Sequence, residues 1–284
     1  MATSCYAGES ANYRAANDIE LNIKSLHEQG MQQQKAELKG VEEFAIECSI
    51  IKVATSEDIQ NCADDGIQIY GGMGFSADTP MESAWRDARI GRIYEGTNEI
   101  NRMLSVGMLI KKSMKGDLNL MNAVMKVASD MTKGIEEKIN IDQPLSIELQ
   151  KIKNLKKVFL MIAGTSFQKY GQELEKQQQI LLGLSDMLIE IYFAESTTLR
   201  TLKNFNRGRD VTHQIDMTQL YVFDATEIVL KKSKETIGNI TDGEAQINLL
   251  KSVNRLCRYK SLPDVIGLKN RIADQLIKEN NYCF

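Results

Sequence analysis

Apolar residues recur at helical spacing along almost the whole chain, and no run sustains the alternation of a strand. The pattern predicts a first helix over about 10–29, stopping at Gly30, and a second over about 40–65, ending before Gly71-Gly72. A short helix over about 82–90 leads to the run Ile93-Tyr94-Glu95-Gly96-Thr97-Asn98-Glu99-Ile100. From Asn98, the residues Ile100, Met103, Leu104, Gly107 and Met108 mark one face of another helix. Lys111, Lys112 and Lys115 before Gly116 give that helix a C-terminal signature, cations at the negative dipole end and a glycine free to turn left-handed. Met121, Val124, Met125, Ala128 and Met131 predict the next helix, capped by Asp117.

Gly134 and the polar stretch to Pro144 read as a linker. The chain therefore divides into a helical unit at 1–135, a linker at 136–145 and a second helical unit at 146–284. In the second unit Leu155, Phe159, Ile162, Ala163, Phe167 and Tyr170 share a face. Further faces follow around Leu184–Ile191, Met217–Ile237, Leu249–Cys257 and Val265–Leu276. Short connections between such helices favour up-and-down bundles, so the expected fold class is all-α: one helical bundle followed by another.

Composition narrows the function. A chain of 284 residues with 43% hydrophobic and 26% charged residues belongs to the soluble globular class. A formal net charge of -3 argues against a nucleic-acid partner. No apolar run reaches transmembrane length, and the N-terminus lacks a secretory pattern. The 5 cysteines are widely spaced without a C-x-x-C pair and read as reduced thiols, which points to a cytoplasmic location. With His27 and His213 far apart, no metal site is expected. The 13 methionines read as core filler on helix faces. The loop Asn204–Arg209, with Arg200 and Lys203 before it, is locally basic; it reads as solvated, with weak peripheral membrane contact as the alternative.

The run around Glu95 carries the chemistry. Thr97 or Asn98 stands where an N-cap belongs, so Glu95 lies just outside a helix N-terminus. Unpaired N–H groups and the positive dipole end face that turn. A fixed carboxylate beside such donors is able to remove a proton next to a carbonyl and stabilise the enolate oxygen. The plain alternative is a surface carboxylate favoured by the dipole.

The surroundings decide between them. Upstream stand Gln68-Ile69-Tyr70-Gly71-Gly72-Met73-Gly74-Phe75 and Trp85-Arg86-Asp87-Ala88-Arg89-Ile90. In order and spacing, 68–102 resembles the C-terminal signature of flavin-dependent acyl-CoA dehydrogenases, with its Q-x-x-G-G-x-G turn, R-D-x-R-I segment and Y-E-G-T-x-x-I motif. Residues 9–115 resemble that family's C-terminal helical domain. Residues 146–203, with Lys156-Lys157-Val158 and Tyr170-Gly171, resemble the extra helical domain of the very-long-chain type.

The resemblance implies FAD as cofactor, an acyl-CoA substrate, and an electron-transfer flavoprotein or similar acceptor. It makes Glu95 the base that takes the α-proton while hydride passes from the β-carbon to FAD, giving a trans-2-enoyl-CoA in fatty-acid β-oxidation. The N–H of Glu95 is one oxyanion donor, and the flavin ribityl chain supplies the other. Tyr94 and Gly96 fall at the thioester end of the substrate. Thr97 and Glu99 fall near the FAD of their own subunit. Gln68, Gly71 and Gly72 fall at the adenine-diphosphate part of the FAD of a neighbouring subunit, so at least a homodimer is implied. Arg86, Asp87 and Arg89 read as an ion-pair network that holds the turn. The family also uses an N-terminal helical domain and a β-domain, which these residues do not encode. The expectation is thus the C-terminal half of a longer enzyme, inactive alone. The competing class is a non-catalytic helical interaction module that keeps the family's fold.

Overall fold

A computed structural model describes residues 1–133 and 143–284. Among them are eleven α-helices and no strand: α1 (Ala2–Glu28), α2 (Gln33–Glu43), α3 (Ala45–Tyr70), α4 (Pro80–Ile90), α5 (Asn98–Lys115), α6 (Leu120–Lys133), α7 (Ser146–Tyr170), α8 (Gln178–Asn206), α9 (Thr212–Ile240), α10 (Gly243–Cys257) and α11 (Val265–Glu279). The all-α expectation holds, and most predicted helices stand within a few residues of their places. The linker expected at 136–145 lies largely outside the described residues.

Three differences stand out, and the first has a visible physical cause. The helix expected over 40–65 is two helices, broken at Phe44 (φ -99°, ψ 22°). Glu43 there turns its carbonyl to Lys112 of α5, whose Nζ donates to it at 2.7 Å and to the Glu43 carboxylate at 2.8 Å. A lysine remote in sequence thus takes over a carbonyl at the break. Next, α6 begins at Leu120, three residues beyond the expected cap Asp117. Finally, α8 continues to Asn206, taking in the first half of the segment Asn204–Arg209 read as a loop.

The helix α8 is the shaft of the molecule. Its Ile189 and Phe193 pack on the small side chains Ala7, Ala11 and Ala15 of α1 and on Ile50, Val53 and Ala54 of α3. On another side Leu181, Leu184, Met187 and Ile191 close a core with Leu155, Val158 and Ile162 of α7, Val229 and Ile237 of α9, Val253 of α10 and Val106 of α5. A helix buried on several faces must pair its polar groups within itself. Thr197 and Thr198 do so by donating to the carbonyls of Phe193 (2.7 Å) and Ala194 (2.8 Å). Tyr6 of α1 shares a hydroxyl chain with Thr201 of α8 and Thr218 of α9 (3.0 and 2.9 Å).

The chain also carries an internal likeness that helical periodicity alone hides. Both α3 and α7 end in Gln-x-Tyr-Gly, at Gln68–Gly71 and Gln168–Gly171. Gly71 (φ 61°, ψ -145°) and Gly171 (φ 54°, ψ -128°) share one unusual backbone conformation, and a 3₁₀ turn follows each. Downstream, Ile93-Tyr94 precedes Arg102 and Leu104 with the spacing by which Ile191-Tyr192 precedes Arg200 and Leu202. In the first case two helices meet at a turn; in the second, α8 runs straight through.

Candidate active site

The Glu95 turn is built by its neighbours. Gly91 ends α4, and Thr97 caps α5, its hydroxyl oxygen accepting from the N–H of Ile100 at 3.3 Å. Between them the backbone takes φ 55° at Glu95 and φ 81° at Gly96. Glycine adopts that region without penalty, whereas glutamate is strained there. Two side chains hold the strained segment. Lys52 Nζ of α3 donates to the Gly96 carbonyl (2.7 Å) and to Asn98 Oδ1 (2.8 Å). Asn101 Nδ2 donates to the same Gly96 carbonyl at 2.9 Å and to that of Thr97 at 3.2 Å. Both carbonyls thereby point back into the protein. Among the described residues the N–H groups of Glu95, Gly96 and Thr97 meet no acceptor.

Under the turn, α5 is bolted to α3 and α8. Asn98 is fully buried, and its Nδ2 donates to Ser56 Oγ and Glu57 Oε1, each at 3.0 Å. Arg102 donates two parallel bonds of 2.7 Å to the Glu57 carboxylate, and its Nε donates to Asp186 Oδ1 of α8 at 2.7 Å. Burial works to raise the Glu57 carboxyl, but the Arg102 bonds and charge outweigh it and hold the group below the ordinary glutamate range. The Glu99 carboxyl is also lowered, first by a bond from its own backbone N–H. Lys52 is lowered by burial, against the opposing pull of Glu99, Glu57 and Glu95.

Glu95, Tyr94 and Gly96 are exposed, and the apolar side chains of Ile93, Tyr94 and Ile100 stand open to water around them. A pocket of about 230 Å³ lies beside the turn, lined by Lys52, Ser56, Ile59, Ala88, Tyr94 and Glu95. That volume is below the range of a complete small-molecule site, so this surface forms one wall of one.

The sequence-predicted residues fall into two groups. Tyr94, Glu95, Gly96, Thr97 and Glu99 share the turn and the start of α5. Gln68, Gly71 and Gly72 do not join them. At the helical rise, Gln68 lies ~24 Å further along α3 than Lys52, which touches the turn. Gln68, Gly71 and Gly72 are exposed, and a Cβ added at either glycine would meet no atom within 4 Å. The ion-pair network expected of Arg86, Asp87 and Arg89 is not what holds the turn. Arg86 pairs with Glu82 inside α4 (3.3 Å), and among the described residues neither Asp87 nor Arg89 forms an ion pair. The network consists of Arg102, Glu57, Asp186, Arg92 and Lys232. Sequence reasoning also missed Lys52, Asn98 and Asn101, although two asparagines on the first turn of a helix bound for a core are an available signal.

Two family models, both described as the C-terminal domain of acyl-CoA dehydrogenase, match residues 1–108 and 154–255. A probable acyl-CoA dehydrogenase of Bacillus subtilis (strain 168) is 31% identical over 99% of this chain and 48% of its own length. The mitochondrial very long-chain specific acyl-CoA dehydrogenase of Rattus norvegicus is 29% identical over 60% of this chain and 28% of its own length. A crystal structure of acyl-CoA dehydrogenase complexed with FAD from Bacillus anthracis superposes with a TM-score of 0.96 at 35% identity, covering 100% of this chain and 48% of that one. The chain thus spans about half the length of the relatives that it matches along its whole extent. The chain belongs to the acyl-CoA dehydrogenase family.

Proposed function

We propose that the Glu95 turn is the proton-abstraction site of an FAD-dependent acyl-CoA dehydrogenase, which converts an acyl-CoA thioester to the trans-2-enoyl-CoA in fatty-acid β-oxidation. The observation that carries the reading is the turn itself. A non-glycine residue is held at φ 55° with three successive N–H groups free beside its carboxylate. Strain of this kind persists only where surrounding bonds enforce it, here those from Lys52 and Asn101. The Glu95 carboxylate takes the α-proton of the thioester, and the proton stays on its oxygen. The N–H of Glu95 donates to the thioester oxygen, where enolate charge develops. Tyr94 and Gly96 bound the thioester end, next to the pocket.

FAD, when bound, accepts the hydride from the β-carbon. The residues present fit that group. Gly71 and Gly72 leave backbone uncovered by any side chain, as close approach to a pyrophosphate requires, and Gln68 stands exposed beside them. Thr97 and Glu99 mark the α5 N-terminus, which suits a phosphate. These two regions lie ~24 Å apart along α3, which supports one FAD at each and therefore at least a homodimer. The remaining partner is an electron-transfer flavoprotein or similar acceptor.

A second reading, a non-catalytic helical interaction module, draws on the open apolar side chains of Ile93, Tyr94 and Ile100. One substitution separates the two. With the chain joined to the part of its relatives that it does not span, Glu95→Gln retains yellow flavin and slows its bleaching by acyl-CoA about 10³-fold. Near-normal bleaching overturns the assignment of the base. If the unsubstituted protein binds FAD and never bleaches, the interaction module stands. The 284-residue chain by itself leaves Glu95 exposed and is expected to purify colourless.

A further inference from the structure

The Gly96 carbonyl receives two donors, Lys52 Nζ at 2.7 Å and Asn101 Nδ2 at 2.9 Å, and Asn101 also reaches the Glu95 carbonyl at 3.4 Å. Among the described residues no peptide bond is cis. In a trans peptide the C=O and the N–H point in opposite directions. A Gly96 carbonyl drawn toward Lys52 therefore turns the Thr97 N–H away from α3. A Glu95 carbonyl drawn toward Asn101 turns the Gly96 N–H outward in the same way. The open donors of the turn are thus aimed by the bonds on the carbonyls behind them.

Two features set Lys52 apart from the other bonds. The carbonyl it holds belongs to a glycine at φ 81°, which has no side chain to limit its backbone and is joined directly to Glu95. Any swing of the peptide between Gly96 and Thr97 therefore carries the neighbouring carboxylate with it. The bond also comes from an ammonium, and a charged donor binds a carbonyl more strongly than a neutral one. The same ammonium donates to Asn98 Oδ1 at 2.8 Å. Asn98 is fully buried and tied in turn to Ser56 and Glu57. One charged group on α3 thus fastens the exposed turn to the buried network beneath it.

We propose that Lys52 is a positioning residue of the dehydrogenation, holding the Glu95 carboxylate and the N–H groups of the turn where the thioester reacts. The inference rests on the reading of Glu95 as the base. Lys52 acts through the Gly96 carbonyl and Asn98 and takes no proton itself. A misplacement of about 1 Å at the reacting atoms costs on the order of 10²-fold in rate. That loss falls on kcat, because the contacts that bind the rest of the acyl-CoA stay in place.

The test uses the intact enzyme, with the chain joined to the part of its relatives that it does not span. Lys52→Ala is expected to keep its flavin and its KM and to lose about 10²-fold in kcat. Lys52 is half-buried and lines the pocket of about 230 Å³ beside the turn, so a small amine reaches its place from solution. Propylammonium, the part of lysine that Lys52→Ala deletes, is expected to restore part of the rate, whereas sodium chloride at equal ionic strength restores none. Lys52→Met keeps the apolar stem and is expected to show the same loss in kcat without that rescue. An undiminished kcat in either variant overturns the inference. So does a loss carried by KM or by flavin release in both variants, or one in Lys52→Ala that propylammonium does not relieve. Each of these results leaves Glu95 as the base if Glu95→Gln fails to bleach. An unsubstituted enzyme that binds FAD and never bleaches overturns the reading of Glu95 and this inference with it.

Discussion

The stretch from Ile93 to Leu104 and its internal counterpart from Ile191 to Leu202 begin with the same two residues and place an arginine and a leucine alike. They fold in opposite ways. In the counterpart, Phe193 and Ala194 stand where Glu95 and Gly96 stand, both are fully buried, and the helix runs on. Every backbone donor there is engaged within α8, and the hydroxyls of Thr197 and Thr198 turn back onto the helix carbonyls. In the first stretch α4 has already ended at Gly91, the backbone takes φ 55° at Glu95 and 81° at Gly96, three N–H groups come free, and a carboxylate replaces a buried ring. One pattern therefore yields a structural shaft where it is continuous and a chemically equipped turn where it is broken. The turn can be strained and exposed because the helices packed beneath it, α8 above all, are overdetermined.

The largest effect on stability falls on the continuous side. Phe193 is fully buried between α1, α3 and α9, stacked on Tyr221 at 6.5 Å between ring centroids. Phe193→Ala removes that ring from the junction of α8 with α1, α3 and α9 and is expected to cost about 3–5 kcal/mol, read from urea unfolding followed by circular dichroism. A loss below about 1 kcal/mol would mean that α8 is not the shared shaft.

The arginines sharpen the contrast at smaller magnitude. Arg102 is 16% exposed and meets two carboxylates, Glu57 and Asp186, whereas Arg200 is 26% exposed, meets Glu9 and lies over the Tyr6 ring. Arg102→Met removes the shared cation from two half-buried anions and leaves Glu57 to Arg92 and Asp186 to Lys232, at about 3 kcal/mol; Arg200→Met is expected to cost about 1 kcal/mol. The pH dependence carries the sign. Glu57 titrates below its unfolded value, so its contribution is complete above the ordinary glutamate range and is lost as pH falls through the lower folded value. The unsubstituted chain should therefore lose more stability than Arg102→Met on acidification from pH 5 to below 4. Equal losses in the two proteins would remove Arg102 as the anchor of the turn.

This contrast also explains what the sequence disclosed. Helix positions were legible because apolar spacing and terminal signals, such as Lys112, Lys115 and Gly116 closing α5, are local. The break at Phe44 was not, since the lysine that meets its freed carbonyl comes from α5. The Glu95 turn was legible through its motif. What holds it was not, because Lys52, Glu57 and Asp186 reach it from helices distant in the chain. Arg86, Asp87 and Arg89 looked like the natural anchors because they are near in sequence. The arginines that pair with α3 are Arg92 and Arg102.

The smallest effect runs in the opposite direction and tests the strain itself. At φ 55°, a side chain at position 95 crowds the following carbonyl, which costs about 1–2 kcal/mol. Glycine removes that cost and gives back roughly half through the greater freedom of the unfolded chain. The bonds from Lys52 and Asn101 reach backbone carbonyls, and Glu95 is exposed, so its side chain contributes little that Glu95→Gly would remove. The net expectation is a stabilisation of about 0.5–1 kcal/mol, or a melting temperature raised by roughly 2 °C, in a protein that has lost the base proposed for it. The same exchange in the counterpart, Phe193→Gly, should destabilise by more than Phe193→Ala, because it adds a flexible residue to a buried helix. If Glu95→Gly instead lowers the melting temperature, the glutamate is part of what holds the turn, and the positive φ is a conformation its own contacts favour.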